Sequence, residues 1–218
     1  VSGLLFFATT AALMVMMINS GLALVGRDTV RERPIPWAAV GLTALAVAGV
    51  VIQLFWAGAM DALDSDPAKT GWWRVVTSVF MQNGGVAGTL WNVVTLAVVA
   101  GLAQWFWGGP LTVVLFAGGI FLPERMDALL GMGGPSTDPR NFAGSSGATY
   151  FLGATLATAL LMRTRVPKQR LLAVAVPVLG LVMWFAQSNG HGLVAVYGFV
   201  AGLPAWGAWR GFEARRAR

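Results

Sequence analysis

Apolar residues run along the chain in long blocks, separated by short stretches rich in Gly, Pro, Arg or Asp. A block of about 20 apolar residues is what an α-helix needs to cross a bilayer. Seven such spans are read, at about 3–25, 37–58, 86–106, 110–130, 144–162, 171–187 and 190–209. The fourth is the weakest, because Pro123, Glu124, Arg125 and Asp127 fall in its second half and shorten its apolar part. The first lacks a basic n-region and a small-residue cleavage site, which predicts a retained helix and not a signal peptide. The pattern as a whole predicts an all-α fold, a polytopic bundle of about seven transmembrane helices forming one membrane domain.

Composition sharpens this picture. Of 218 residues, 56% are hydrophobic and 11% charged, where a soluble domain carries roughly 25% charged residues. Ten Trp and 28 Gly suit a membrane bundle, since Trp favours interfaces and Gly permits close helix packing. The formal charge of +6 sits in short clusters between apolar blocks. With no continuous basic stripe and no binding motif, a nucleic-acid partner is not expected. The absence of cysteine excludes disulfides, thiol catalysis and Cys-ligated zinc, and a single histidine excludes any multi-His metal site.

Lys and Arg placement predicts the orientation. Arg27, Arg31 and Arg33 follow the first span, Arg163, Arg165, Lys168 and Arg170 the fifth, and Arg210, Arg215, Arg216 and Arg218 the seventh. Those eleven share one side, which leaves Lys69, Arg74, Arg125 and Arg140 for the other, together with Asp61, Asp64, Asp66, Asp127 and Asp138. The asymmetry places the C-terminus in the cytoplasm and the N-terminus outside. The Gly- and Pro-rich segment 131–143 then lies outside and leads to Ser146, while Gln187, Ser188, Asn189 and Gly190 lead to His191. Asn92 lies about six residues into the third span, roughly 9 Å deep at 1.5 Å per residue. Three polar side chains from three helices therefore share the outer leaflet.

A serine hydroxyl is a poor nucleophile without a nearby base, and His191 is the one imidazole available. A histidine inside a span points to function; the alternative is an interfacial histidine bonded to a carbonyl or a lipid headgroup. Ser146 lies in Gly144-Ser145-Ser146-Gly147, where flanking glycines allow close backbone approach. A helix start also offers unpaired N–H groups to a developing oxyanion. Small residues pack membrane helices in any case, and Ser145 rivals Ser146 as nucleophile. Asn92 could donate its amide to an oxyanion or simply bond across helices. Tyr150, at i+4 from Ser146, shares its helix face and could buttress the imidazole; otherwise it is an interfacial aromatic.

These residues together resemble the rhomboid intramembrane serine protease family. Gly144-Ser145-Ser146-Gly147 matches its G-x-S-G motif, which implies Ser146 as nucleophile. Asn189-Gly190-His191 opens a late span as the family's catalytic histidine does, with Gly198 seven residues on. Tyr150 matches the aromatic that stacks on that histidine. Trp73-Arg74, followed by Thr77 and Phe80, resembles the W-R signature of the first external loop, and Asn92 the asparagine of H-x-x-x-N. The chain departs from the family at Gly88, where a histidine is common, at Gln104, where a glutamate is usual, and at Val194, where a glycine is expected. The spacing from Trp73 to Asn92 is also one residue longer than the bacterial pattern.

The resemblance implies a six-helix core at 37–210, preceded by an extra N-terminal helix and cytoplasmic loop at 1–36 and followed by a basic tail at 211–218. It implies a serine endopeptidase of a prokaryotic inner membrane, cleaving transmembrane protein substrates through a Ser146–His191 dyad. The Ser146 N–H and the Asn92 amide would bind the oxyanion, with no metal or organic cofactor. The loop at 60–85 would sit partly in the outer leaflet of the lipid bilayer, anchored by Trp72, Trp73 and Phe80, with Arg74 reaching a lipid phosphate or a loop carbonyl. Two other readings remain open. One is a rhomboid-fold protein that binds membrane proteins without cutting them, favoured by Gly88. The other is a small transporter or channel, disfavoured because the span centres hold almost no ionisable residue.

Overall fold

A computed structural model describes residues 3–131 and 142–216. The chain order is α1 (Gly3–Val25), α2 (Trp37–Phe55), α3 (Ala59–Leu63), α4 (Arg74–Thr77), α5 (Gly85–Trp107), α6 (Gly109–Leu130), α7 (Ser146–Arg163), α8 (Pro167–Gln187) and α9 (Gly190–Arg216). Short 3₁₀ turns occupy Arg27–Glu32 and Ser78–Phe80, and no strand occurs among the described residues. Asp138 and Arg140, with most of the segment 131–143, lie outside the described residues, as does Arg218.

Five of the helices are long and apolar enough to cross a membrane: α1, α2, α5, α8 and α9 over Gly190–Phe212. The chain is thus an all-helical bundle of membrane type. α6 and α7 fall short of that composition, each for its own reason. α6 continues unbroken through Pro123, and the polar residues of its second half include Asp127, which accepts a hydrogen bond from Tyr197 of α9 at 2.5 Å. α7 packs against α1, α5, α6, α8 and α9, and every residue from Ala148 to Leu160 is buried. Surrounded by protein, it can carry Thr149, Thr155 and Thr158, whose hydroxyls donate to carbonyls of Ser145, Leu152 and Phe199.

Several helix ends differ from the sequence expectation. The second helix stops at Phe55, not 58. The sixth long helix starts at Pro167, not 171, because proline is well tolerated in a first turn where its missing N–H would be unpaired anyway. Residues 211–216 continue α9 and form no separate tail. Between α5 and α6 the chain turns at the single residue Gly108, whose φ of 82° is a conformation that favours glycine. Gln104 explains how the start of α2 is secured: its Oε1 accepts the N–H groups of Ala38 and Ala39 at 2.7 and 3.1 Å. A neutral amide oxygen there satisfies donors that a helix start leaves unpaired.

Small residues set how closely α7 and its neighbours approach. A Cβ on Gly198 would collide with the Phe151 carbonyl of α7, and one on Gly202 would stand 2.6 Å from Thr158 Cβ. Gly198 and Gly202 are four apart and line one face of α9, the small-xxx-small pattern of close membrane helices. α1 meets α7 through Met17 against Gly153 and through Gly21 against Leu156. We expect Gly198→Ala to destabilise the bundle by about 1–3 kcal/mol through overpacking. Gly207→Ala, where a Cβ meets open space, should leave thermal unfolding in detergent unchanged or slightly raised. Equal unfolding temperatures for Gly198→Ala and wild type would contradict this packing.

Candidate active site

The first turn of α7 is positioned from outside the helix. Gly144 adopts φ 138° and donates its N–H to the Ser78 carbonyl at 2.9 Å. Two residues earlier, the Phe142 carbonyl accepts both the N–H and the hydroxyl of Ser65, at 2.9 and 3.0 Å. The loop between α2 and α5 therefore holds the chain as it enters α7. Ser146 follows as the first helical residue.

Across the bundle, Ser188 in the left-handed conformation ends α8, and α9 begins two residues later at Gly190. This brings His191 against α7. Its Nε2 lies 3.0 Å from Ser146 Oγ, between residues 45 positions apart in the chain. Of the two serines, Ser146 is the one within reach of the imidazole, while Ser145 Oγ is buried and without a hydrogen-bond partner.

Tyr150 is 1% exposed, and its ring centroid stands 4.9 Å from that of His191. The planes are tilted by 59°, so the phenol braces the imidazole obliquely instead of stacking flat on it. Its hydroxyl donates to the Thr10 carbonyl of α1 at 2.7 Å.

Asn92 reaches the same region from α5. A Cβ placed on Gly144 would lie 3.5 Å from Asn92 Nδ2 and 3.7 Å from Ser146 Oγ, so both groups border one small space. Asn92 Nδ2 donates one hydrogen to Gln82 Oε1 at 2.8 Å and retains a second. Gln82 is itself fixed by a reciprocal pair with Gln53 of α2: its N–H donates to Gln53 Oε1 at 2.8 Å, and its carbonyl accepts from Gln53 Nε2 at 2.9 Å. Gln82 Nε2 is buried without a partner. At Gly88, a Cβ would meet open space.

Other expected residues take different places. Gly147 also faces open space, so it accommodates no neighbouring backbone. Arg74 bonds the carbonyls of Thr70, Asp61 and Asp64 and the Asp64 carboxylate, at 2.9 to 3.2 Å, so the loop carbonyls considered for it are among its partners. Trp72 and Trp73 are exposed, but Phe80 packs against the core, because its backbone lies over Gly49 of α2. Gly198 acts through helix packing. Asn189, Thr10 and Gln53 touch the site or its supports and were not singled out as such from the sequence. Asn189 was visible beside His191, whereas a threonine or glutamine within an apolar block carries only the weak signal that buried polar groups find partners.

Among the described residues no group of three or more His, Asp or Glu is placed to hold a metal ion. Chemically, the arrangement can pair a hydroxyl with a basic nitrogen next to an amide donor. Compared with protein-family models, curated proteins and solved structures, the chain matches none.

The loop beside the site is held by charge. Lys69 bridges Asp61 at 2.8 Å and Asp64 at 3.0 Å, and Arg74 meets Asp64 at 3.2 Å. The Lys69 hydrogen bond holds the Asp61 carboxyl below its usual 3.8. The bonds to Asp61 and then Asp64 hold the Lys69 ammonium above 10.5. The Asp61 contribution is present above 3.8 and fades as pH falls through its lowered value, and the Lys69 contribution is present below 10.5 and fades as pH rises through its raised value. Asp61 is well exposed, so each effect is small. A nitroxide on Ala68→Cys, in a chain without native cysteine, should keep one mobility through the neutral range. It should loosen at both extremes, and a line shape constant into acid would count against the clamp.

Proposed function

We propose that the chain is an intramembrane serine endopeptidase of rhomboid type that cleaves transmembrane proteins through Ser146 and His191. The observation that carries this reading is the 3.0 Å approach of Ser146 Oγ to His191 Nε2. The ordered motifs of the sequence support it, and the fold class is compatible with it. In this reading all seven long helices cross a prokaryotic inner membrane, with α1 preceding a six-helix core. The arginine-rich ends face the cytoplasm, and the dyad lies toward the outer leaflet, where water can reach it.

His191 Nε2 accepts the Ser146 proton as Oγ attacks the scissile carbonyl, and then returns a proton to the leaving amine. Water resolves the acyl-enzyme by the same route in reverse. The Ser146 N–H, at the first residue of α7, is among the helix donors without an intrahelical partner, and with the second Asn92 hydrogen it binds the oxyanion. Gln82 takes the other Asn92 hydrogen and so aims the amide. A substrate helix that unwinds easily would present its backbone to this site.

A second reading, a rhomboid-fold protein that binds membrane-protein clients without cutting them, draws on Gly88. The open space there leaves the oxyanion site without one side-chain donor, and one such donor is worth about 10²–10³ in rate in a soluble serine protease.

The deciding experiment is active-site labelling with a fluorophosphonate probe. Wild type in membranes should be labelled and Ser146→Ala should not; label retained in Ser146→Ala would move the nucleophile, with Ser145 the first place to look. Cleavage of a generic transmembrane substrate should fall about 10²-fold or more in His191→Ala, the scale of general-base catalysis. An intact wild type that neither labels nor cleaves would favour the client-binding reading.

A further inference from the structure

The nitrogen of His191 that faces away from Ser146 is also held. Its Nδ1 lies 3.2 Å from Asn189 Oδ1, and the same oxygen accepts the His191 backbone N–H at 3.1 Å. A backbone N–H can only donate, so the Asn189 atom facing His191 must be its oxygen and not its nitrogen. An amide oxygen carries no proton, so the ring proton must sit on Nδ1. Nε2 is then left with its lone pair directed at Ser146. That is the tautomer a general base requires.

Asn189 is held in turn from α1. It is 1% exposed, and its Nδ2 donates to Thr10 Oγ1 at 2.9 Å. The Thr10 hydroxyl donates to the Phe6 carbonyl at 2.7 Å, so its oxygen is free to accept. The Thr10 carbonyl receives the Tyr150 hydroxyl. A single residue of α1 thus secures both the amide beside Nδ1 and the phenol that braces the ring.

We propose that Asn189 is a positioning residue that sets the His191 tautomer, that Thr10 anchors it, and that α1 is consequently a working part of the site. The proposal rests on the reading of Ser146 and His191 as nucleophile and base. Capping of α9 accounts for the bond from the His191 N–H to Asn189. It does not account for the ring contact or the bond to Thr10.

The chain has one histidine, so ¹⁵N-histidine labelling gives a single imidazole whose protonated nitrogen can be read in detergent. Wild type should show the Nδ1–H form. Asn189→Ser keeps a good helix cap but is too short to span from the ring to Thr10; Thr10→Val keeps the shape and removes the acceptor. Both should populate the Nε2–H form and slow fluorophosphonate labelling of Ser146 roughly tenfold or more, part of what a positioned general base supplies. Thr10→Ser should restore both readouts. An Nε2–H form in wild type would overturn the proposal, as would variants that retain the Nδ1–H form. A shifted tautomer with an unchanged labelling rate would also overturn it. The tautomer is read without turnover, so a wild type that shows the expected Nδ1–H form and the expected variant shifts yet never labels would sink the peptidase reading alone.

Discussion

The burial of α7 on every side is the constraint from which the remaining features follow. From Ala148 to Leu160 this helix, packed by five others, exposes no face to lipid or water, so each polar group it carries there must be paired within the protein, at a cost of several kcal/mol otherwise. Its threonines turn back onto carbonyls, and its tyrosine bonds a carbonyl of α1. Close neighbours are admitted through glycine, as where Gly198 of α9 meets the Phe151 backbone. A helix seated this way has little freedom to slide or rotate. The position of its first residue, Ser146, is therefore inherited from packing along its whole length.

Fixing a nucleophile is only half of a reactive pair, and the other half is arranged differently. His191 stands on α9 at the same end of the bundle, where packing alone would leave the imidazole free to turn about its side-chain bonds. Three contacts remove that freedom: Ser146 at Nε2, Asn189 at Nδ1 and Tyr150 at the ring face. Two of the three lead back to Thr10. On the opposite flank, the loop between α2 and α5 grips Phe142 and Gly144, and its own shape depends on Lys69 and Arg74 converging on Asp64. The site is thus assembled from α5, α7 and α9 but steadied by α1 and by an ionic loop.

Much of the fold was legible because hydrophobic blocks are long and helix ends are chemically marked. Six of the seven long helices lie within about four residues of the blocks read from the sequence, and α9 runs to Arg216, past the block read to 209. The discrepancies at Phe55 and Pro167 come from local turn chemistry that a hydropathy pattern does not resolve. Ser146, His191 and Tyr150 stood out because each is chemically unusual in an apolar setting or falls at a telling helical spacing. Thr10 and Gln53 did not, since one hydroxyl or one amide in an apolar helix has many innocuous uses and its partner is distant in the chain. The surroundings of Gly147 and Phe80 were not legible for a related reason. A glycine's neighbours and an aromatic's direction are decided by tertiary packing, which one-dimensional patterns do not carry.

Around the candidate site, neutral amides take the polar positions that charged groups could have held. At Gln104 a neutral oxygen caps α2, which satisfies the helix start without placing a charge there. Around Asn92, Gly88 faces open space, and Gln82 joins Gln53 in a network that holds the asparagine amide. Beside His191, the acceptor at Nδ1 is an asparagine oxygen and not a carboxylate. A carboxylate there would stabilise an imidazolium strongly, but it would be costly to desolvate so close to an apolar bundle. An amide orients the ring at lower electrostatic gain, so proton transfer in such a site would depend more on geometry than on charge. That places the burden on rigidity, and the contacts converging on Thr10 are where this bundle supplies it.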